Sequence, residues 1–245
     1  MSLPRVVVVG GHGKVALAFA RLASPTHAVT SLVRSQDHFA DIKANGATPE
    51  LLSLEDADIA ALAKSFTGAK NVLFSAGAGG KGGAERTKAV DFEGAVKVFD
   101  AIESIEGVKP RLLLVSALDT RDLSKPPPPH YTAEDIETSK KAHEAIGTYY
   151  DYKLEADRNL HNRKASFQWT ILRPGGLLDS AGTGKVSLGQ THMGSVPRED
   201  VAATLVALLD EPGASGLSLD LISGETPITE AVKNAVLKGI SDHHD

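Results

Sequence analysis

The sequence predicts an α/β fold: a doubly wound parallel sheet with helices on both faces and a small C-terminal cap. Two observations carry that expectation. Short apolar runs such as VVVV (6–9), NVLF (71–74) and RLLLVS (111–116) lack polar alternation, and amphipathic stretches separate them. A strand covered on both faces needs no polar side, and strand alternating with helix builds right-handed crossovers. Length is the third observation: 245 residues can bury a sizeable core as one domain spanning 1–245.

Taken in order, the expected strands are Arg5–Val9, His27–Val33, Thr48–Ser53, Asn71–Ser75, Arg111–Ser116 and Gln168–Arg173. The expected helices are Lys14–Ala23, Asp37–Asn45, Asp56–Phe66, Ala84–Ser104 and Thr132–Asn162, the last long enough that Gly147 is a natural break. SKPPPPHY (124–131) reads as a stiff surface connection. After Arg173 the texture turns rich in Gly and Ser. The helix REDVAATLVALLDE, the strand LSLDLIS and a final helix over Pro227–Lys238 follow, so residues 174–245 read as a substrate-side cap on the same domain. The terminal SDHHD reads as a disordered tail.

Composition excludes several classes. The net charge of −5, with basic residues scattered, points away from nucleic acid and membrane surfaces. The absence of cysteine removes disulfides, thiolate metal sites and a cysteine nucleophile. No run approaches the roughly 20 apolar residues of a membrane helix, and no cleavage site follows the first apolar stretch, so a cytoplasmic protein is expected. His12, His27, His38, His130, His143 and His161 lack metal-ligand spacing and read as surface or turn residues; no metal is expected. No Gly-x-Ser-x-Gly elbow marks a hydrolase.

The first turn carries the chemistry. Phosphate needs backbone N–H donors at close range and a helix N-terminus aimed at it, and a side chain there would hold it off. GGHGKVA supplies this in two registers, Gly11-x-Gly13-x-x-Ala16 and Gly10-x-x-Gly13-x-x-Ala16, between a buried strand and an amphipathic helix. The second strand ends in Arg34-Ser35, where an NAD-selective site usually offers Asp or Glu. An arginine suits a 2′-phosphate, so NADP(H) is expected over NAD(H).

In VVVVGGHGKVA, SLVRS, NVLFSAGAGG, LLLVSALD, YYDYKLEAD, TILRPGGL and VPREDVAATLVALL, taken in order and spacing, the chain resembles the atypical short-chain dehydrogenase/reductases, in their NmrA-like and flavin-reductase-like NAD(P)-binding branch. The resemblance covers nearly the whole chain and implies a Rossmann-like fold. It also implies the wide glycine register, with Gly10, His12, Gly13, Lys14 and Val15 at the pyrophosphate and Arg34 and Ser35 at the adenosine phosphate. Ser53 and Leu54 then flank the adenine, where many relatives carry Asp at the position of Ser53. Ala76, Gly77 and Ala78 pass the ribose, and Pro174, Gly175, Gly176 and Leu177 border the nicotinamide, with Ser116 ending the fifth strand.

Reductases of this kind use a tyrosine and a lysine four residues apart, on one helix face. Tyr149-x-x-x-Lys153 has that spacing, and a cationic amine beside a phenol lowers its pKa from about 10. The expected catalytic set is Ser116, Tyr149 and Lys153, with Lys153 also on the nicotinamide ribose. The pocket is expected from the Ala78–Ala84 loop, the Pro126–His130 run and the stretch after Gly176, with GAGGKGGA (77–84) as a lid. The reading is an NADPH-dependent oxidoreductase acting on a small-molecule carbonyl, quinone or flavin-like substrate. The alternative is a non-catalytic NAD(P)-binding redox sensor of NmrA-like type. An epimerase or dehydratase is disfavoured, because roughly 70 residues after Arg173 are few for a sugar-nucleotide domain.

Overall fold

The computed structural model describes residues 2–79, 82–163, 165–239 and 241. Its strands are β1 (Arg5–Val9), β2 (Ala28–Val33), β3 (Thr48–Leu51), β4 (Asn71–Phe74), β5 (Arg111–Val115), β6 (Trp169–Pro174), β7 (Gly176–Leu178), β8 (Lys185–Gly189), β9 (Ser195–Pro197), β10 (Ser218–Ser223) and β11 (Thr226–Pro227). Its helices are α1 (Lys14–Ala23), α2 (Phe39–Ala44), α3 (Ile59–Phe66), α4 (Gly83–Thr87), α5 (Gly94–Ser104), α6 (Ala133–His161), α7 (Arg198–Leu209) and α8 (Ile228–Lys238).

A nine-stranded sheet has the order β11-β8-β10-β6-β5-β4-β1-β2-β3. From β3 through β10 every pairing is parallel, and β8 and β11 close the far edge antiparallel. This is a Rossmann-like α/β fold. The VVVV run shows why its strands carry no polar side. Val6 and Val8 enter a core under α1, α7 and α8, while Val7 and Val9 enter a second core under α3, α5 and α6. All four are at most 1% exposed.

The segment after Arg173 divides in two. β8, β10 and β11 continue the central sheet, and α7 packs along α1 beneath it. The β7–β9 pair forms a separate two-stranded ribbon beside the cleft. Elsewhere the elements differ mainly at their ends. Asp58 caps α3, its side chain accepting from the Ala61 N–H at 2.7 Å, so α3 starts later than Asp56. A 3₁₀ turn over Gln36–His38 precedes the shortened α2. The break expected at Gly147 falls one residue earlier: Ile146, at φ −137° and ψ 34°, kinks α6.

One buried cation locks the added layer to the sheet. Arg111, 6% exposed, donates to the Glu211 carbonyl at 2.7 Å and to that of Leu208, at the C-terminal end of α7 where carbonyls lack helical partners. Burial pulls its pKa down to about 10, so it stays charged at neutral pH. Arg111→Ala should lose about 2–3 kcal/mol, the range for hydrogen bonds to a charged donor. Urea unfolding would measure it, and a midpoint unchanged from wild type would remove this cap from the account.

Candidate functional site

The strand order reverses between β1 and β4, and ligands of open α/β sheets bind at the carboxyl ends beside such a switch. Two clefts open there. One, of about 250 Å³, lies between the ends of β1, β2 and β3. The other, of about 640 Å³, runs from the start of α1 past β5 and α6 to the β7–β9 ribbon.

The three glycines of the first turn do different jobs. Gly10 has φ +80°, and a Cβ there would stand 2.6 Å from Ala76 Cα, so it closes the turn against the loop that follows β4. At Gly11 a Cβ would meet Ser31 Cβ at 2.4 Å, so this glycine lets the loop lie on β2. Gly13 is different. Its backbone is extended (φ −64°, ψ 151°), and beyond its chain neighbours a Cβ would meet only the carbonyls of Gly10 and Ser75, at 3.5 and 3.8 Å. It caps α1 without a side chain, no acidic residue occupies the first turn, and it lines both clefts. Nothing inside the protein requires a glycine there. The open space leaves room for a phosphate to approach the N–H groups of Lys14 and Val15.

Gly10, His12, Arg34, Ser53 and Leu54 line the smaller cleft, and Ala76 and Gly77 line both. Lys14, Val15, Ala78, Ser116, Tyr149, Lys153, Pro174, Gly175, Gly176 and Leu177 line the larger one. Ser35 lines neither. Its Oγ accepts from the Asp37 N–H at 3.2 Å and donates to Asp37 Oδ2 at 2.9 Å, capping the 3₁₀ turn. Of the expected pocket loops, Ala78 and Gly79 face the larger cleft, whereas Gly80 and Lys81 of the expected lid lie outside the described residues, as does most of the SDHHD tail. The Pro126–His130 run does not line the cleft. His130 donates instead to the Thr191 carbonyl at 3.0 Å.

Tyr149 and Lys153 share one face of the rear half of α6, with Lys153 Nζ 5.6 Å from the centroid of the Tyr149 ring. Lys153 is 4% exposed. Its ammonium pairs with Asp91 Oδ1 at 3.0 Å and donates to the Val115 carbonyl at 3.2 Å. Burial works against the charge, but the carboxylates of Asp91 and Asp157 act with their surroundings to outweigh it and hold the Lys153 pKa above its usual value. The same surroundings correct the expected activation of the phenol. Burial pushes the Tyr149 pKa up, Lys153 opposes this, and the carboxylates of Asp91 and Asp157 push it up further. Net, Tyr149 keeps its proton more firmly than a free tyrosine, because burial and the two carboxylates together outweigh the lysine.

Ser116 is also committed elsewhere. Its hydroxyl donates to Asp157 Oδ2 at 3.0 Å, on the same carboxylate that Arg173 binds through Nε and Nη2, each at 2.9 Å. The one hydroxyl proton of this expected catalytic serine is therefore engaged inside the protein. His143 departs from its surface reading too. Its Nε2 lies 3.0 Å from buried Asp119 Oδ2, and its ring stacks on Tyr150 at 4.2 Å.

Asp91, in the wall of the larger cleft, is a residue that sequence reading missed. Residues Lys88–Glu93 form a π-helical turn between α4 and α5, which aims Asp91 inward. Its Oδ2 accepts the Ala78 N–H at 2.9 Å, so one carboxylate ties Lys153 to the loop after β4. The available signal was a carboxylate on the apolar stripe Asp91, Ala95, Val98, Ile102. Among the described residues, no group of three His, Asp or Glu is placed to hold a metal ion, and no helix is long and apolar enough to cross a membrane.

Relatives of known sequence match over nearly the whole chain. The UPF0659 protein C216.03 of Schizosaccharomyces pombe is 46% identical, covering 97% of each chain. The uncharacterized sugar epimerase YhfK of Bacillus subtilis is 35% identical over 94% of this chain and 99% of its own. A solved structure from Bacillus halodurans, provisionally named an NAD-dependent epimerase/dehydratase, superimposes with a TM-score of 0.77 at 28% identity, covering 94% of this chain and 99% of that one. The model of the NAD(P)H-binding family matches residues 10–212, from the first glycine turn to the end of α7 and just beyond. The chain thus belongs to the NAD(P)H-binding family, of atypical short-chain dehydrogenase/reductase type.

Proposed function

We propose that the protein is an NADPH-dependent oxidoreductase that reduces a small carbonyl-type, quinone or flavin-like substrate. The observation that carries this reading is the placing of Tyr149 and Lys153 in the cleft that also holds Gly13 and Gly175. When bound, the nicotinamide supplies the hydride. Lys153 has three N–H donors, and Asp91 and the Val115 carbonyl engage two, leaving one for a ribose hydroxyl. Tyr149, protonated at neutral pH, donates to the oxygen that gains negative charge as the hydride arrives. Arg34 supports the preference for a 2′-phosphate.

Calorimetric titration with NADPH and NADH separately is the first test, with NADPH expected about tenfold tighter or more. On a substrate found by screening carbonyls and quinones, Tyr149→Phe should lower kcat by about 10²–10⁴-fold, the usual worth of a positioned proton donor. Full turnover by that variant would sink the catalytic assignment. Tight binding of one redox form without turnover would favour the sensor. An epimerase, disfavoured from the sequence, gains support as a further reading, because a relative of matching length bears that name. Sugar-nucleotide isomerisation without net cofactor change would support it.

A further inference from the structure

The adenosine cleft contains an ion triplet that binding of a dinucleotide does not by itself require. Arg34, just past β2, and Arg86, on α4, converge on a single oxygen of Glu55. Arg34 Nη1 lies 3.2 Å and Arg86 Nη2 3.8 Å from Glu55 Oε1. All three residues line the 250 Å³ cavity. Two guanidiniums from separate elements meeting at one oxyanion make a site that carboxylate and phosphate can both fill, because the guanidinium fork matches either.

Both ends of the triplet are braced. Lys97 Nζ donates to the carbonyls of Leu54, Glu55 and Ala57 at 2.9, 3.1 and 2.9 Å, which sets the loop that carries Glu55. The stem of Arg86 lies over Gly82, where a Cβ would meet Arg86 Cδ at 2.6 Å. The Glu55 side chain itself is 41% exposed, so it can leave the arginines without burying a charge.

We propose that Glu55 stands, between Arg34 and Arg86, in the place of the adenosine 2′-phosphate, and that Arg86 and Glu55 together set how strongly NADP(H) is preferred to NAD(H). This rests on the NADPH reading above and adds two residues to it. A phosphate monoester carries a charge of about −1.5 to −2 at neutral pH, so it outcompetes one carboxylate for two guanidiniums. A 2′-hydroxyl brings no charge and leaves the bridge intact, with Glu55 available as its acceptor. Arg86 therefore favours the phosphate, and Glu55 opposes it.

The test is calorimetry with adenosine 2′,5′-diphosphate and 5′-AMP, which differ only in the 2′-phosphate. Wild type should prefer the diphosphate. Arg86→Gln should weaken diphosphate binding about tenfold and leave 5′-AMP within about twofold, as expected for one charge-assisted contact. Glu55→Gln should tighten diphosphate binding about three- to tenfold without tightening 5′-AMP. Equal weakening of both ligands by Arg86→Gln, or weaker diphosphate binding in Glu55→Gln, would overturn the proposal. If Arg34→Gln alone abolishes the preference, the NADPH reading stands and this one falls. If wild type does not distinguish the two ligands, both fall.

Discussion

A Gly13→Val protein should fold, and its affinity for NADPH should drop by about a hundredfold or more, some 3 kcal/mol. The backbone at Gly13 is one that any L-residue adopts, and the first carbon of a side chain meets only the carbonyls of Gly10 and Ser75, at 3.5 and 3.8 Å. The cost to stability should be that of a poor helix cap, about 1 kcal/mol. The isopropyl group would enter the space shared by both clefts, in front of the N–H groups that begin α1. Gly10→Val is the control with the opposite signature. At φ +80°, with Ala76 Cα 2.6 Å from the new carbon, it should destabilise the fold itself. Calorimetry and urea unfolding on the two variants separate the cases. Undiminished NADPH binding by Gly13→Val would mean that the third glycine faces no phosphate.

The largest loss of stability is expected from Asp157→Ala, about 3–5 kcal/mol. Asp157 and Arg173 are 1% and 2% exposed, and removing the carboxylate leaves the guanidinium buried without this counter-charge. It also removes the acceptor of the Ser116 hydroxyl. Such a loss is a large share of the 5–15 kcal/mol that holds a typical domain together. Since that variant could fail to accumulate, the double replacement Asp157→Leu with Arg173→Met supplies the second arm. An apolar pair of similar volume should recover most of the stability, because a buried pair repays its desolvation only in part. Equal instability of the single and double variants in urea unfolding would show that packing, not charge, governs this position.

The parts that were legible in the sequence are those set by local pattern. Val6–Val9 announced a strand buried on both faces, and the glycines after it announced the turn, because each signal lies within a few residues of what it specifies. Tyr149 and Lys153 were legible for the same reason, being one helical turn apart. What escaped depends on partners distant in the chain. LSLDLIS alternates like a strand with one wet face, yet Ser218 and Asp220 are fully buried, because β10 lies between β6 and β8 in the middle of the sheet. Asp91 escaped because periodic reading assumes 3.6 residues per turn, and the π-helical turn breaks that period where the carboxylate is needed. The effect of Asp91 on Tyr149 escaped with it. A Tyr–Lys spacing says nothing of how deeply the phenol is buried, or of a third group, 62 residues upstream of that lysine, that pairs with it.

The kink at Ile146 gives one helix two separate duties. Behind it, Lys153 and Asp157 tie α6 to β5, β6 and, through Asp91, the loop after β4. Ahead of it, Asp135 accepts the Met193 N–H at 2.8 Å and bonds His192 at 2.7 Å, holding the strip that forms the opposite wall. A continuous rod would transmit any adjustment of one wall to the other. Under the proposed function, the joint would let substrate fit be altered at the front while Tyr149 and Lys153 keep their setting at the rear, so one scaffold could change its guest without rebuilding its engine.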